Sequence, residues 1–491
     1  MRESAFAAID LGAESGRVVI GRLAEQRVSI ELVHRFTNRP VRLPDGVHWN
    51  LLALFGEALE GLARADRGAE LRGVGVDSWG VDYALLDGDC RVLGLPFHYR
   101  DRRTAGMIDR AHARVPREEL YSVAGIQTIP INTIFQLLAD EGSAALAAAE
   151  RIALVPDLFA FWLSGELANE ATVASTTGVL DARAGTWARA VIERLGLPAR
   201  PFAGDPVEPG TSLGTLLPHH DLTDVPVHAV ASHDTASAFA GAPLRTPHAA
   251  ILSSGTWSLL GLELDEPVLT PEAAAFNLTN ERGIDGTIRL LRNVMGLWLV
   301  QECRRKFGLD YNDLHRLAAE ARDDVPLFDP DSDVLLAPDD MPGEIAKACS
   351  AAGQRPPDTP GEFIRSVLSS LACKYRLVLE RLMRVSGRRV DVVHVIGGGA
   401  RNELLCRMTA DLLGRPVLAG PVEATALGNV LMQARATGEL ASLADVRAVA
   451  VASADPAIFE PANRRDAADE LYERFLDVTG LAVDEPEHAI A

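Results

Sequence analysis

Two aspartates and a turn that occurs twice are the parts of this sequence best suited to chemistry. Asp10 opens the run Asp10-Leu-Gly-Ala-Glu-Ser-Gly-Arg17, and Asp234 lies in Ser232-His-Asp-Thr-Ala-Ser-Ala238. The turn around Gly12 returns in Leu252-Ser-Ser-Gly-Thr-Trp-Ser-Leu-Leu260: with Gly12 set on Gly255, Ala13 falls on Thr256 and Ser15 on Ser258. An apolar strand, a Gly/hydroxyl turn and a returning strand present backbone N–H groups that can cradle phosphate. A carboxylate at Asp10 adds a hard oxygen for Mg²⁺, which keeps most of its water and needs only one or two such ligands. A carboxylate at Asp234 can accept the proton of an attacking hydroxyl. Together these are the parts of a phosphoryl-transfer site.

Each residue also has a plainer reading. Asp10 fits an ordinary β-turn, Asp234 a helix N-cap, and His233 a satisfied buried histidine. The adjacent Ser232-His233-Asp234 cannot fold back into a hydrolase triad, and no Gly-x-Ser-x-Gly elbow exists. Ser253 stands where Asp10 stands in the first copy, so duplication with loss of the acid fits one metal side and one phosphate-grip side. Gly397-Gly398-Gly399 lets a flat ligand approach the backbone, although it lacks the dinucleotide pattern Gly-x-Gly-x-x-Gly. The small-residue run from Gly420 to Gly428 fits a ligand surface or close helix packing equally well. Asn293 reads as a helix N-cap or a sugar ligand, and Trp298 as core.

The elements that must hold these residues follow from hydrophobic periodicity. Strands are predicted near 5–10, 16–23 and 28–36, a helix near 51–66, and a strand at 72–77 ending in Asp77-Ser-Trp-Gly80. Strand, strand, strand, helix, strand is the opening order of a ribonuclease-H-like half. Helices are predicted near 105–114, 133–148 and 156–163, a β-rich patch over 166–182, and a strand near 226–231. Residues 241–247 read as a linker before the second hairpin. Beyond it come helices near 294–306, 311–322, 360–386 and 402–413, a strand at 392–396, an acidic surface loop over 325–343 and a frayed tail over the last ten residues.

Length and composition bound the answer. At 491 residues the chain suits two or three domains. A formal charge of −20 argues against nucleic acid or an anionic membrane as partner. Lysine occurs only at 306, 347 and 374, and no Lys-centred P-loop exists. Five scattered cysteines support neither a disulfide framework nor a zinc site. With no leader-like N-terminus and no membrane-length apolar run, a cytoplasmic protein is expected.

Taken in order, these segments resemble the FGGY carbohydrate kinases over about residues 5–460. The carriers are Asp10 to Arg17, Asp77-Ser-Trp-Gly-Val-Asp-Tyr83, Tyr99-Arg-Asp-Arg102, Ser232 to Ala238, Ser253-Ser-Gly-Thr-Trp-Ser258, Asn293-Val-Met-Gly-Leu-Trp298, Gly397 to Gly399 and Gly420-Pro-Val-Glu-Ala-Thr425. The resemblance implies an α/β, actin-like ATPase fold with two ribonuclease-H-like domains flanking a catalytic cleft. The N-terminal domain, 1–243, would carry sugar and base. The C-terminal domain, 244–460, would carry the nucleotide, with a helix and tail over 461–491.

It further implies transfer of the ATP γ-phosphoryl group to the 1-hydroxyl of a ketose, L-rhamnulose first, with L-fuculose and L-xylulose as alternatives. By position, Asp234 would accept the proton. Ala13, Glu14, Ser15, Gly16, Arg17, Thr256, Gln301 and Gly398 would contact ATP. Gly80, His233, Asp234, Thr235 and Asn293 would contact the sugar, and Asp10 would support Mg²⁺ through water. Glu14 departs from the hydroxyl residue many sugar kinases have there. Its carboxylate must point away or be neutralised, with Arg17 as the candidate cation. The implied partners are a small ketose and MgATP, and the protein is expected as a monomer or small homo-oligomer. A non-catalytic ATP-binding protein or sugar sensor on the same fold is the rival from another class. Asp234 separates the two, since neither rival needs a base beside an acceptor hydroxyl.

Overall fold

The doubled turn folds as two hairpins, each at the centre of its own sheet. In the computed structural model, which describes residues 3–220, 224–462 and 464–486, β1 (Ser4–Leu11), β2 (Ser15–Ala24) and β3 (Arg27–Thr37) run antiparallel in sequence order. β4 (Val41–Leu43) and β5 (Gly46–His48) form a separate small hairpin. β6 (Leu71–Ser78) then lies parallel to β1 on its other side. β7 (Tyr83–Leu86) and β8 (Arg151–Leu154) pair off the sheet. β9 (Ser212–Thr215) and β10 (Pro226–His228) complete the order β3-β2-β1-β6-β10-β9. Every residue of β1 after Ser4 is buried, as expected of a central strand with both faces covered.

The second sheet repeats the plan. β11 (Ala249–Ser254) and β12 (Trp257–Leu264) form its hairpin, followed by β13 (Thr279–Arg282) and β14 (Ile288–Met295). β15 (Val392–Ile396) and β16 (Val417–Ala419) add in parallel, and β17 (Ala457–Phe459) closes the edge. The run β14-β12-β11-β15-β16 matches β3-β2-β1-β6-β10 position for position and direction for direction.

Helices cover both sheets. The Leu51–Gly68 helix buries Leu51, Leu54, Ala58, Gly61, Leu62 and Ala65, one face at helical spacing. Gly61 is required there, because a Cβ would meet Val18 at 2.4 Å. The Pro360–Ser386 helix starts on Thr359, whose hydroxyl accepts from Glu362 N, and stops at Gly387 in the left-handed region. It carries the buried core of the second lobe. The Ala424–Ala436 and Leu443–Ser453 helices return to the first sheet. Gln433 Nε2 donates to Ala7 O at 2.9 Å, and Val28 N donates to Ser453 Oγ at 2.8 Å.

Several local expectations are corrected. The predicted 133–148 helix breaks into Thr133–Ala139 and Ala144–Ala148, with Ser143 capping the second. The supposed β-patch at 166–182 holds a helical turn, Ala171–Ala174, whose N–H groups bond to the Glu170 carboxylate. Residues 294–295 belong to β14, and the helix begins only at Trp298. The acidic loop is not at the surface throughout: 325–328, 330 and 331 are buried. Asp331 accepts from Met295 N at 2.8 Å and stands 3.4 Å from both Arg292 and Lys374. Buried cations there turn an apparently solvated stretch inward. In the tail, Arg381 donates to the carbonyls of Ala482 and Glu485, so these residues are anchored, while 487–491 lie outside the described residues.

Candidate active site

The first hairpin, β6 and the Asp234–Ala240 helix converge on the second hairpin across a cleft of about 350 Å³. Register aligns its first charges: Arg17 on β2 faces Asp10 on β1, which faces Asp77 on β6. Asp10 Oδ2 accepts from Arg17 Nε at 2.8 Å and Nη2 at 2.5 Å. Arg17 also reaches across the cleft to Glu423. Burial would discharge this guanidinium, but Asp10 and Glu423 outweigh it and hold Arg17 above its ordinary range. Asp77 is fully enclosed. Burial first, and then the charge of Asp10, raise it well above the usual aspartate value, with a 2.6 Å hydrogen bond from Asn429 Nδ2 opposing. Its Oδ1 has no hydrogen-bond partner among the described residues. Two neighbouring carboxylates with an unmet oxygen make a donor set of the kind a hard divalent cation takes.

Asp234 begins its helix, while His233 holds the N-cap position without capping through its side chain. Asp234 is therefore not the N-cap. Its Oδ1 accepts from Thr235 N at 2.6 Å and Thr235 Oγ1 at 3.1 Å, and His233 Nε2 lies 3.4 Å away. Burial raises its pKa above 3.8; His233 opposes and Asp10 adds to the rise. His233 is itself pinned from the second lobe, with Nδ1 3.2 Å from both Glu281 Oε2 and Arg289 Nη2. Burial pushes Glu281 up, but Arg289, His233 and Asn293 together leave it below the ordinary glutamate value. Asn293 is a β14 residue, not a helix cap, and its N and Nδ2 both donate to Gln127 Oε1.

The remaining predicted residues divide. Ala13, Ser15, Gly80, Thr235, Thr256 and Gly398 line the same cleft as Asp10, Arg17, His233, Asp234 and Asn293. A Cβ on Gly398 would meet nothing within 4 Å, so the backbone there is open to a flat ligand. Glu14, Gly16 and Gln301 are not in the cleft wall. Glu14 is exposed with Arg305 at 3.9 Å, so its carboxylate faces Arg305 rather than Arg17. Gly16 is a strand residue packed against the Phe36 ring.

Sequence reasoning missed part of the wall. Gln127 and Asn132 come from an irregular segment, and Thr279 and Glu281 from an ordinary strand, neither of which carries a motif. Trp79 lines the cleft because Asp82 fixes it, accepting from the indoles of Trp79 at 3.0 Å and Trp49 at 2.5 Å. Burial pushes Asp82 up to about 7 against these bonds and that from Gln136. At one edge Arg100 of the first lobe lies in an aromatic slot, 4.4 Å from the Trp298 ring and 5.1 Å from that of Trp257. It also donates to Leu336 O.

A carboxylate base must be ionised to accept a proton, so a raised Asp234 moves the loss of activity toward neutrality. The rate of a reaction that uses Asp234 as base is expected to fall on the acid side with a midpoint above 3.8. A pH–rate profile still flat at pH 3.8, on protein still folded by circular dichroism, would remove Asp234 from that role.

Residues 6–241 match the N-terminal domain, and residues 250–437 the C-terminal domain, of the FGGY family of carbohydrate kinases. A rhamnulokinase of Bacteroides thetaiotaomicron is 40% identical over 450 residues, covering 90% of this chain and 93% of the relative. One from Enterococcus faecalis is 38% identical over 486 residues, covering 97% and 98%. Among solved structures, a gluconate kinase from Lactobacillus acidophilus superposes with TM-score 0.79 at 14% identity, covering 97% and 98% of the two chains. Plasmodium falciparum glycerol kinase with ADP gives 0.78 at 15%, covering 98% and 99%. At such identities the likeness is one of fold, the actin-like ATPase fold. Among the described residues no helix is long and apolar enough to cross a membrane.

Proposed function

This chain belongs to the FGGY family of carbohydrate kinases, and from that premise we propose that it transfers the γ-phosphoryl group of ATP to the 1-hydroxyl of L-rhamnulose. The observation that carries the sugar is the set of relatives named rhamnulokinase, 37–42% identical over at least 90% of this chain.

The cleft supports a division of labour. Asp234 offers Oδ2 to the acceptor hydroxyl, because Oδ1 is taken up by Thr235 and faces His233. His233, Thr235, Asn293 and Gly80 surround the same space and would orient the ketose. The open backbone at Gly398 and the turn at Thr256 would receive the nucleotide, and the first hairpin at Gly12, Ala13 and Ser15 its phosphates. Asp10 and Asp77 would hold Mg²⁺, which when bound offsets phosphate charge. Arg17, tied to both Asp10 and Glu423, keeps the carboxylate in place. Transfer needs little covalent help from the protein, so positioning and a well-placed base supply most of the effect.

The test is a coupled ADP-release assay across L-rhamnulose, L-fuculose, L-xylulose and glycerol. L-rhamnulose is expected to give the highest kcat/KM. Preference for another ketose would overturn the substrate, and ATP turnover indifferent to all four would overturn the kinase reading.

A further inference from the structure

Two buried polar side chains, Thr279 and Glu281, face the cleft from the C-terminal lobe without a full set of hydrogen bonds. Thr279 and Glu281 are two residues apart on β13, so their side chains share a face, and both line the cleft beside Asn293. Thr279 Oγ1 and Glu281 Oε2 are buried without a hydrogen-bond partner among the described residues. Glu281 Oε2 is held electrostatically, within 3.2 Å of His233 Nδ1 and 3.1 Å of Arg289 Nη1, which leaves it capacity to accept from a ligand. Buried polar atoms ordinarily fill their hydrogen-bonding capacity, and two that leave it unfilled in a cleft wall mark where a ligand brings its own hydroxyl groups.

We propose that Glu281 and Thr279 form the part of the acceptor pocket that reads the hydroxyl groups of the ketose. This rests on the sugar-kinase function proposed above. Arg289, fully buried and opposite Glu281 in the β13–β14 register, stabilises the ionised carboxylate. An ionised carboxylate only accepts, so it selects a ligand that donates: a neutral polyhydroxylated sugar is favoured, and a sugar acid would set carboxylate against carboxylate. His233 ties the two halves of the site together, since the ring that contacts Glu281 also contacts Asp234. The C-terminal lobe thus selects the sugar that the N-terminal lobe activates.

Steady-state kinetics on the parent protein, Glu281→Gln and Thr279→Val tests this, with L-rhamnulose and its C4 epimer L-fuculose as acceptors. Glu281→Gln is expected to raise KM for L-rhamnulose about 10- to 100-fold and to narrow the preference between the two sugars about 10-fold, as loss of a buried hydroxyl acceptor does. KM for ATP should stay within about twofold. Thr279→Val, which leaves the Arg289 ion pair alone, should raise KM for the sugar about threefold or more, and it carries the test if Glu281→Gln does not fold. An unchanged sugar preference and an unchanged sugar KM in Thr279→Val would overturn the inference and leave water as the partner of these atoms. Failure of the parent protein to phosphorylate any ketose would instead overturn the function on which the inference stands.

Discussion

Asp234→Asn is expected to lower kcat by about 10²- to 10⁴-fold while leaving ATP affinity within about twofold. The amide has nearly the shape of the carboxylate, and its oxygen can still accept from Thr235 N, now 2.6 Å from Oδ1. What it loses is the ability to take a proton from the sugar. The helix that Asp234 begins therefore keeps its start, and the fold pays nothing. Asn at this site also removes a charge that Asp10 and burial both disfavour, so the variant should melt no lower than the parent. Turnover by ADP release and nucleotide binding by calorimetry give the two readings separately. Substantial phosphorylation by the variant would take the role of base away from Asp234.

The second large effect is expected from Gly428→Ala, a change that touches no ligand. The Ala424–Ala436 helix crosses the Asp234–Ala240 helix with backbone against backbone. A Cβ on Gly428 would lie 1.8 Å from Ser237 O, and one on Gly241 2.2 Å from Ala424 O. No rotamer relieves such a contact, because the atom struck is a carbonyl within a helix. The two helices must move apart, at a cost of about 3 kcal/mol, at the upper end of ordinary overpacking. The displaced helix is the one that carries Asp234, so kcat should drop about 10-fold or more along with the melting temperature. Unaltered melting together with full activity would show that the crossing can widen freely.

Much of the site was legible in the sequence because its chemistry sits on motifs that the backbone alone explains. The hairpins at Gly12 and Gly255 and the strand into Asp77 fold as read on central strands, whereas the strand ahead of Asp234 spans only Pro226–His228 and stops short of the predicted 231. The Gly420–Gly428 run had two readings, ligand surface or helix packing, and at Gly428 the contact with Ser237 decides for packing. What escaped reading depends on partners distant in sequence. Asn293 looked like a helix start because apolar residues continue past it at helical spacing, but pairing with β12 extends the strand to Met295. The acids at 329 and 331 looked solvated because Arg292 and Lys374, which meet them, lie on other elements. Thr279 and Glu281 carry no local sign at all, and only the face they share with Asn293 brings them into the cleft.

Arg100 ties the lobes together through contacts of short range. A cation–π contact is lost beyond about 6 Å from the ring, and Arg100 stands 4.4 Å from Trp298 and 5.1 Å from Trp257. Separation of the lobes by a few ångströms at this edge forfeits both stacking partners and the bond to Leu336 O together. The energy of parting at this edge is therefore confined to the first few ångströms of displacement, and little of it resists further opening.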